Sequence, residues 1–326
     1  MTERFAVGSS PHIHAPLDTQ KIMAWVLASL LPAGAAGVWF LGGSSLAVIA
    51  TCVTVCVGSE FLWQRLAGQR VTVSDLSAAV TGLLLAYNLP PTIPLWMAAC
   101  GSVFAIVLVK QFFGGLGGNI VNPALAARAM MLISWPVAMT TWTVQGVSGA
   151  TPLAFLKGMS SAAAVSQATS AATEAASSTS PALHALWNLF IGNVGGCIGE
   201  TSAAALLLGG AVLIWKGIIS WRIPVVYIAT VAVLSLAFGR AGGPLYEVLV
   251  GGLMLGAFFM ATDYTTSPMT ARGQFVFAAG CGLLTALIRT FGGYPEGVSY
   301  SILIMNLTVP LIDRLTVPRI LGEARR

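Results

Sequence analysis

Long apolar stretches recur along the chain, separated by short turns that contain Gly, Pro or Arg. Five stretches lie in the first half, at about 22–41, 45–62, 76–89, 95–113 and 123–137. Five more follow, at about 183–215, 223–238, 248–261, 275–288 and 298–312. The sixth is long enough for a short helical piece followed by a span. Because roughly 20 mostly apolar residues cross a hydrocarbon core as a helix, the pattern predicts an all-α polytopic membrane protein with about ten transmembrane helices.

Hydropathy falls between residues 138 and 181, and 160–180 contains only Ser, Ala, Thr, Val, Gln and Glu, the composition of a linker. The chain is expected to leave the membrane there. This predicts a cytoplasmic N-terminal segment, a first five-helix membrane repeat, an extracytoplasmic loop, a second five-helix membrane repeat and a basic cytoplasmic tail. Their ranges are 1–21, 22–137, 138–181, 182–313 and 314–326, respectively.

The two membrane halves resemble each other in sequence. GLLLA at 82–86 has a counterpart in GLMLG at 252–256, and FGG at 113–115 recurs at 291–293. Each half has an odd number of spans and the linker between them does not cross, so the halves are predicted to form an inverted repeat. The third stretch of each half is short and interrupted, which points to a binding site near the midplane. A tilted or re-entrant structural helix is the equally weighted alternative.

Composition and charge agree with a membrane protein. Hydrophobic residues make up 56% of the chain and charged residues only 8%, against about 25% in a soluble domain, which excludes an ordinary soluble enzyme. The 16 basic residues are scattered singly and form no stripe, which argues against nucleic-acid binding. With a cytoplasmic N-terminus, twelve of them fall on the inner side and Lys157, Arg240 and Arg289 on the outer side. This bias follows the positive-inside rule and places both termini inside and the 138–181 loop outside.

Charged residues in or near the apolar stretches are candidates for function, because charge within a membrane is costly. They are Glu60, Arg128, Glu200 and Asp263. Arg128 lies inside the fifth stretch, and we expect a carboxylate or phosphate beside it. Arg289 precedes an FGG turn on the predicted outer face, where it either neutralises an anionic group or reaches lipid headgroups.

Metal and hydrolytic sites receive little support from the sequence. No residues have the spacing of a metal-ligand set, and no nucleophile and base form a hydrolytic constellation, so no catalytic residue and no metal are predicted. All five cysteines lie in apolar stretches and are predicted to pack there. Cys52 and Cys56 share a helix face, which leaves half of an iron–sulfur site shared with another subunit as an alternative.

The outer loop contains Ser148-Gly149-Ala150-Thr151, which resembles the Ser/Thr-Gly-Ala-Thr flavinylation motif. In that motif a flavin transferase joins FMN through its phosphate to the last Thr. Further motifs are SSPH at 9–12, KQFFGGLG at 110–117, NPA at 122–124, LGAFFMATD at 255–263 and FGGYPEG at 291–297. Together they make nearly the whole chain similar to the D subunit of the Rnf electron transport complex.

Two features of the sequence bear on where this chain stands within the wider family that it resembles. The B subunit of the sodium-pumping NADH:quinone reductase shares the repeat and the flavin motif but usually has a longer N-terminal extension, so the early SSP at 9–11 favours the Rnf resemblance. The family motif usually begins with Asp six residues before the Thr, where this chain has Gln145.

The resemblance implies that Thr151 carries covalent FMN on the outer face, with Ser148, Gly149 and Ala150 completing the attachment motif. Arg128 and Arg289 are then expected to contact cofactor. The resemblance also allows a non-covalent riboflavin between the two repeats. For the ion pathway, Asp263 and Glu200 are the candidate relay residues.

The implied function is electron relay in an Rnf-type ferredoxin:NAD oxidoreductase of the bacterial inner membrane, coupled to Na⁺ or H⁺ translocation. The expected partners are the other subunits of the complex, a flavin transferase and the lipid bilayer. Two alternatives stay open. One is a component like the B subunit of a sodium-pumping NADH:quinone reductase, and the other is a channel or carrier without redox function, since inverted five-helix repeats also build urea-transporter-like folds.

Overall fold

The computed structural model of the chain describes residues 18–144, 147–149, 181–192, 195–239, 243–293 and 296–317. The helices of the first half are α1 (Thr19–Leu41), α2 (Gly43–Leu66), α3 (Ser77–Tyr87), α4 (Leu95–Val103), α5 (Pro123–Ser134) and α6 (Pro136–Thr140). Those of the second half are α7 (Pro181–Ile191), α8 (Ala203–Trp215), α9 (Arg222–Ala237), α10 (Gly243–Leu249), α11 (Leu253–Leu255), α12 (Ala271–Phe291) and α13 (Val298–Thr316).

Three short helical elements and a β-hairpin complete the described architecture. Helix α4 continues as a π-helix over Phe104–Gln111, and α11 continues as a π-helix over Gly256–Met260. A 3₁₀ turn over Val73–Asp75 precedes α3. Strands β1 (Trp142–Val144) and β2 (Val147–Gly149) pair antiparallel in a small hairpin after α6.

Several helices begin at residues that the sequence suits to that position. The side chain of Asn122 accepts hydrogen bonds from the backbone N–H groups of Ala124 and Leu125, and Pro123 occupies the first turn of α5. Ser202 and Thr270 cap α8 and α12 in the same way. These caps satisfy N–H groups that lipid cannot satisfy.

Among the described residues, four helices are long and apolar enough to cross a membrane, namely α1, α2, α12 and α13. Helix α10 and the π-extended α11 are bent by 68° at their junction, and counting them as one broken span raises the number to five. Other apolar helices are shorter, including α3, α5, α8 and α9. Large apolar side chains such as Leu31, Ile133 and Val233 are exposed on these helices. The chain is therefore a multi-pass membrane protein whose outer surface faces lipid.

The structure differs from the sequence prediction at the end of the fifth stretch. The fifth stretch was predicted as one span over 123–137, but α5 ends at Ser134, and Trp135 has a non-helical backbone with ψ 61°. The cause is Pro136, which disfavours helical geometry in the preceding residue. The hairpin lies within the predicted 138–181 loop, before the stretch at 160–180 that has the composition of a linker. The sixth stretch divides into α7 and α8 as predicted.

The two halves contact each other through equivalent helices. Helix α1 packs on α8, and α5 packs on α13, so the first helix and the last helix of each predicted repeat meet their counterparts. Within each half the helix of the second apolar stretch packs on the helix of the fourth. These pairs are α2 with α4 and α9 with α12.

Close approach of α1 and α8 depends on Gly209. A Cβ added there would collide with the backbone carbonyl oxygen of Ser29 and lie 3.1 Å from Phe259 Cζ. We expect Gly209→Ala to destabilise the protein by about 1–3 kcal/mol, because the backbone of α1 must shift. Gly58→Ala on α2 is the matched control, since nothing lies within 4 Å of its added Cβ. Thermal unfolding midpoints in detergent measure both, and equal midpoints would contradict this account of the contact.

Candidate functional site

The site is built around the interrupted end of α3. Two backbone carbonyls there, of Tyr87 and Leu89, accept hydrogen bonds from the N–H groups of Gly199 and Ile198 at 2.9 and 3.1 Å. Residue 199 must be glycine, because a Cβ would lie 2.6 Å from Cγ of the Tyr87 ring. N–H groups from the second half thus satisfy backbone carbonyls at the broken end of the α3 helix in the first half. Buried backbone in a membrane protein requires such partners, because lipid offers none.

Arg128 lies beside this junction with its guanidinium buried. Nη1 donates to Asn88 Oδ1 at 2.7 Å and to Glu200 Oε1 at 3.4 Å, and Nη2 donates to the carboxylate of Glu296. Nη2 also lies 3.5 Å from the sulfur of Cys197. The expectation of a carboxylate beside Arg128 is therefore confirmed. Two carboxylates lie there, and both come from the second half of the chain.

The same cluster contains three groups that could coordinate a metal. Ligand atoms of Cys197, Glu200 and Glu296 lie within 4.8 Å of one another. The guanidinium of Arg128 bonds both carboxylates and already supplies positive charge there. This ion pairing makes the cluster a poor match for a metal ion.

Arg289 is buried at the end of α12 and holds the bend between α10 and α11. Nη1 donates to the carbonyl of Glu247 at 2.6 Å and to its carboxylate at 3.2 Å, and Nη2 donates to the carbonyl of Val250 at 3.2 Å. Nε donates to the carbonyl of Glu296 at 3.0 Å. Of the two roles weighed for Arg289, these contacts do not match snorkelling to headgroups, because its guanidinium faces protein.

A third buried ion pair joins Lys110 to Glu60. Lys110 Nζ lies 2.9 Å from both carboxylate oxygens and 2.6 Å from Ser77 Oγ, and Gln111 donates to the same carboxylate at 2.8 Å. Sequence reasoning treated Lys110 only as one of the inner-face charges and missed this pair. A signal was available, because Glu60 within an apolar stretch needs a cationic partner.

Asp263 borders a small cleft of about 90 Å³ between the halves. Its Oδ2 accepts hydrogen bonds from the hydroxyls of Thr265 and Thr266 at 3.0 and 3.2 Å. Burial raises the pKa of the Asp263 carboxyl, which lies in the loop after the π-helix. The apolar walls come from α1, α3, α8 and the π-helix, and the polar groups are Ser77, Thr81, Lys110, Asn119, Asn122 and Asp263.

Four of the five cysteines are buried as predicted, whereas Cys100 is exposed. Cys52 and Cys56 are completely buried between α2 and its neighbours, and the Cys56 thiol faces the carbonyl of Ser102 at 3.8 Å. An iron–sulfur cluster shared with another subunit needs thiols at the protein surface, so this burial contradicts the alternative of half a cluster site.

The Ser-Gly-Ala-Thr segment that resembles a flavinylation motif begins in the hairpin. Ser148 and Gly149 belong to β2, opposite Thr143 and Trp142 of β1. Ala150 and Thr151 lie outside the described residues. The hydroxyl of Thr92, between α3 and α4, lies 3.5 Å from the carbonyl of Thr141 just before the hairpin. The motif therefore starts on the same side of the protein as the end of α3.

Comparison with known proteins adds a full-length match. A family model described as "NQR2, RnfD, RnfE family" matches residues 6–322. The chain belongs to this family. The resemblance to the D subunit is confirmed by relatives of that name, which match nearly the whole chain.

Three relatives illustrate the match. The D subunit of the Na⁺-translocating ferredoxin:NAD⁺ oxidoreductase complex of Acetobacterium woodii is 51% identical, covering 98% of this chain and 96% of the relative. The D subunit of the proton-translocating ferredoxin:NAD⁺ oxidoreductase complex of Clostridium ljungdahlii is 46% identical, covering 98% and 97%. The D subunit of the ion-translocating oxidoreductase complex of Citrobacter koseri is 38% identical, covering 98% and 99%.

Four of the motifs that carried the family resemblance contribute to the site, whereas SSPH at 9–12 lies outside the described residues. KQFFGGLG supplies Lys110, NPA supplies the cap of α5, and LGAFFMATD supplies the π-helix and Asp263. FGGYPEG supplies Glu296, which bonds both Arg128 and Arg289. In this family member the motifs thus meet at the contact between the two halves.

Proposed function

We propose that this chain is the D subunit of an Rnf-type ferredoxin:NAD⁺ oxidoreductase, and that it relays electrons through FMN held by a phosphoester to Thr151. The observation that carries the proposal is the identity of 51% and 46% over 98% of the chain to two such subunits. Electron relay would be coupled to ion translocation, with the other subunits as partners. One relative is named for Na⁺ and the other for protons, so the ion is left to experiment.

We infer that the ten predicted helices form two inverted five-helix repeats of urea-transporter-like architecture. Contacts of α1 with α8 and of α5 with α13 support this, because a two-fold relation brings equivalent elements together. The bend between α10 and α11 and the short α3 occupy the third position of each repeat, as a broken midplane helix would.

The proposed orientation places both termini on the cytoplasmic side of the bacterial inner membrane and Thr151 outside. Its support is the distribution of basic residues, twelve inside against three outside. Lys110 and Arg289 are buried in ion pairs. Without these two, eleven basic residues on the inner side still oppose two on the outer side. A flavin transferase acting on the outer face would then be the partner that attaches FMN to Thr151.

We propose the cleft beside Asp263 as the place where a second, non-covalent flavin such as riboflavin would bind, on the chemistry of its lining. Its apolar walls, including Leu84 and Phe258, suit the faces of a flavin ring, and the amides of Asn119 and Asn122 offer donors and acceptors for its polar groups. A bound flavin supplies the electron-transfer chemistry. The residues of the cleft would orient the ring and exclude water from it.

Everted membrane vesicles test the function and the role of Asp263 together. A host lacking its own D subunit would receive this chain, and reduced ferredoxin and NAD⁺ would be added. We expect NADH formation accompanied by uptake of Na⁺ or acidification of the vesicle interior. Asp263→Asn should lower ion uptake per NADH several-fold, because the carboxylate offers the negative charge a cation needs. Asp18→Asn, at the exposed start of α1, is the matched control.

Each arm of the vesicle experiment has a contradicting outcome. Equal NADH formation with and without the chain would contradict the electron-relay function. An unchanged ratio of ions to NADH in Asp263→Asn would remove Asp263 from the ion pathway. Reduction of a quinone by NADH in place of ferredoxin-dependent NADH formation would favour the quinone reductase alternative. Solute flux through liposomes holding the chain alone would favour the channel or carrier.

A further inference from the structure

The buried Arg128 cluster contains more carboxylates than cations. Among the contacts between described residues, Lys110 pairs with the carboxylate of Glu60, whereas Arg128 pairs with two carboxylates, those of Glu200 and Glu296. If these groups are all ionised, the Lys110 pair is neutral and the Arg128 cluster has a formal charge of −1.

That excess charge lies in surroundings that solvate it poorly. Side-chain exposure is 6% for Arg128 and 5% for Glu200, and a Cβ at Gly252 would lie 2.6 Å from Glu200 Oε1. An unpaired buried charge is far more costly than a paired one. Two neighbouring carboxylates with only one cation therefore favour a state in which one of them binds a proton.

The groups facing the two carboxylates come from several elements. Arg128 approaches from α5 and the amide of Asn88 from the end of α3. The thiol of Cys197 lies on the same segment as Glu200 and donates to the carbonyl of Asn88 at 3.2 Å. On the far side Nε of Arg289 on α12 donates to the backbone carbonyl of Glu296, and Nη1 of Arg289 pairs with the carboxylate of Glu247 on α10. Among the described residues, these contacts provide no second cation for the carboxylates.

We propose that Glu200 and Glu296 share one exchangeable proton at neutral pH, so that the Arg128 cluster is a proton-binding site. The proton bonds to one carboxylate oxygen at a time, and the other carboxylate stays ionised against Arg128. Glu296 exposes 20% of its side chain, which gives the proton a route to solvent, whereas Glu200 is the buried member. Because Arg128 belongs to the first half and both carboxylates to the second, proton binding sets the charge across the contact between the halves.

Infrared spectroscopy tests this proposal without any flavin or activity. The purified full-length chain in lipid nanodiscs at neutral pH should show the C=O stretching band of a protonated carboxylic acid, shifted in D₂O. Glu200→Gln and Glu296→Gln should each abolish the cluster's band, because either change leaves one carboxylate against one guanidinium. Both substitutions keep an oxygen that accepts from Arg128, so the fold should persist, and elution as a single species checks this.

Two comparisons make the result specific. Asp263→Asn identifies any band that arises from the carboxyl at the cleft, and the cluster's band should survive in that variant. Loss of the band in Glu200→Gln but not in Glu296→Gln would mean that burial alone protonates Glu200 and would overturn the shared proton. Spectra of both Gln variants that match the unmodified chain would overturn the site altogether.

Discussion

Replacing Thr151 by Ala is expected to abolish covalent flavin completely. The proposed phosphoester uses the hydroxyl oxygen of Thr151, and alanine has no nucleophilic atom in its place. The measurement is the intact mass of the denatured chain, with in-gel flavin fluorescence, after expression with and without a flavin transferase. The unmodified sequence should gain the mass of FMN less one water only when the transferase is present.

Matched variants in the same loop make the flavin experiment specific. Thr143→Ala removes a threonine hydroxyl from β1, opposite Ser148, and should leave the adduct in place. Fluorescence that persists in Thr151→Ala would move the attachment to another residue and contradict the proposal. If the chain without substitutions carries no flavin, Gln145 is the suspected cause, and Gln145→Asp should then allow flavin attachment. If the Asp variant also stays unmodified, the electron-relay function loses its main chemical support.

Local sequence patterns predicted most helices well, because each depends on residues close together in the chain. The stretch at 22–41 corresponds to α1 over Thr19–Leu41, and the stretch at 275–288 lies within α12. Pro136 carried a readable signal for the end of α5 that the hydropathy pattern obscured. The bend between α10 and α11 was harder to predict, since it depends on contacts from Arg289, about 40 residues further along the chain.

The site was predictable only in part, for a similar reason. The cost of burying a guanidinium required an anionic partner for Arg128, and this expectation is confirmed. The identity of that partner depends on tertiary packing, because Glu296 is 168 positions away in the chain. Lys110 and Glu60 were recognised separately, as an inner-face charge and a buried acid, and only the packing of α2 against the π-helix shows that they pair.

Arg289→Gln is expected to lower the stability of the protein by about 3–5 kcal/mol, the usual cost of breaking a buried ion pair by removing one partner. The guanidinium joins the carbonyls of Glu247, Val250 and Glu296 and the carboxylate of Glu247. A shorter, neutral glutamine side chain cannot replace these contacts, and it removes the buried cation that pairs with the Glu247 carboxylate. The measurement is the thermal unfolding midpoint in detergent.

Arg272→Gln is the matched control, because Arg272 is exposed at the first turn of the same helix α12. It should unfold close to the temperature of the unmodified chain. Equal midpoints for the two variants would mean that Arg289 does not hold the bend between α10 and α11. If Arg289→Gln is strongly destabilised even in protein prepared without flavin, Arg289 stabilises the fold itself. This is the expected result, because its guanidinium donates to oxygen atoms of Glu247, Val250 and Glu296. Loss of bound flavin in Arg289→Gln would then be a consequence of the altered bend.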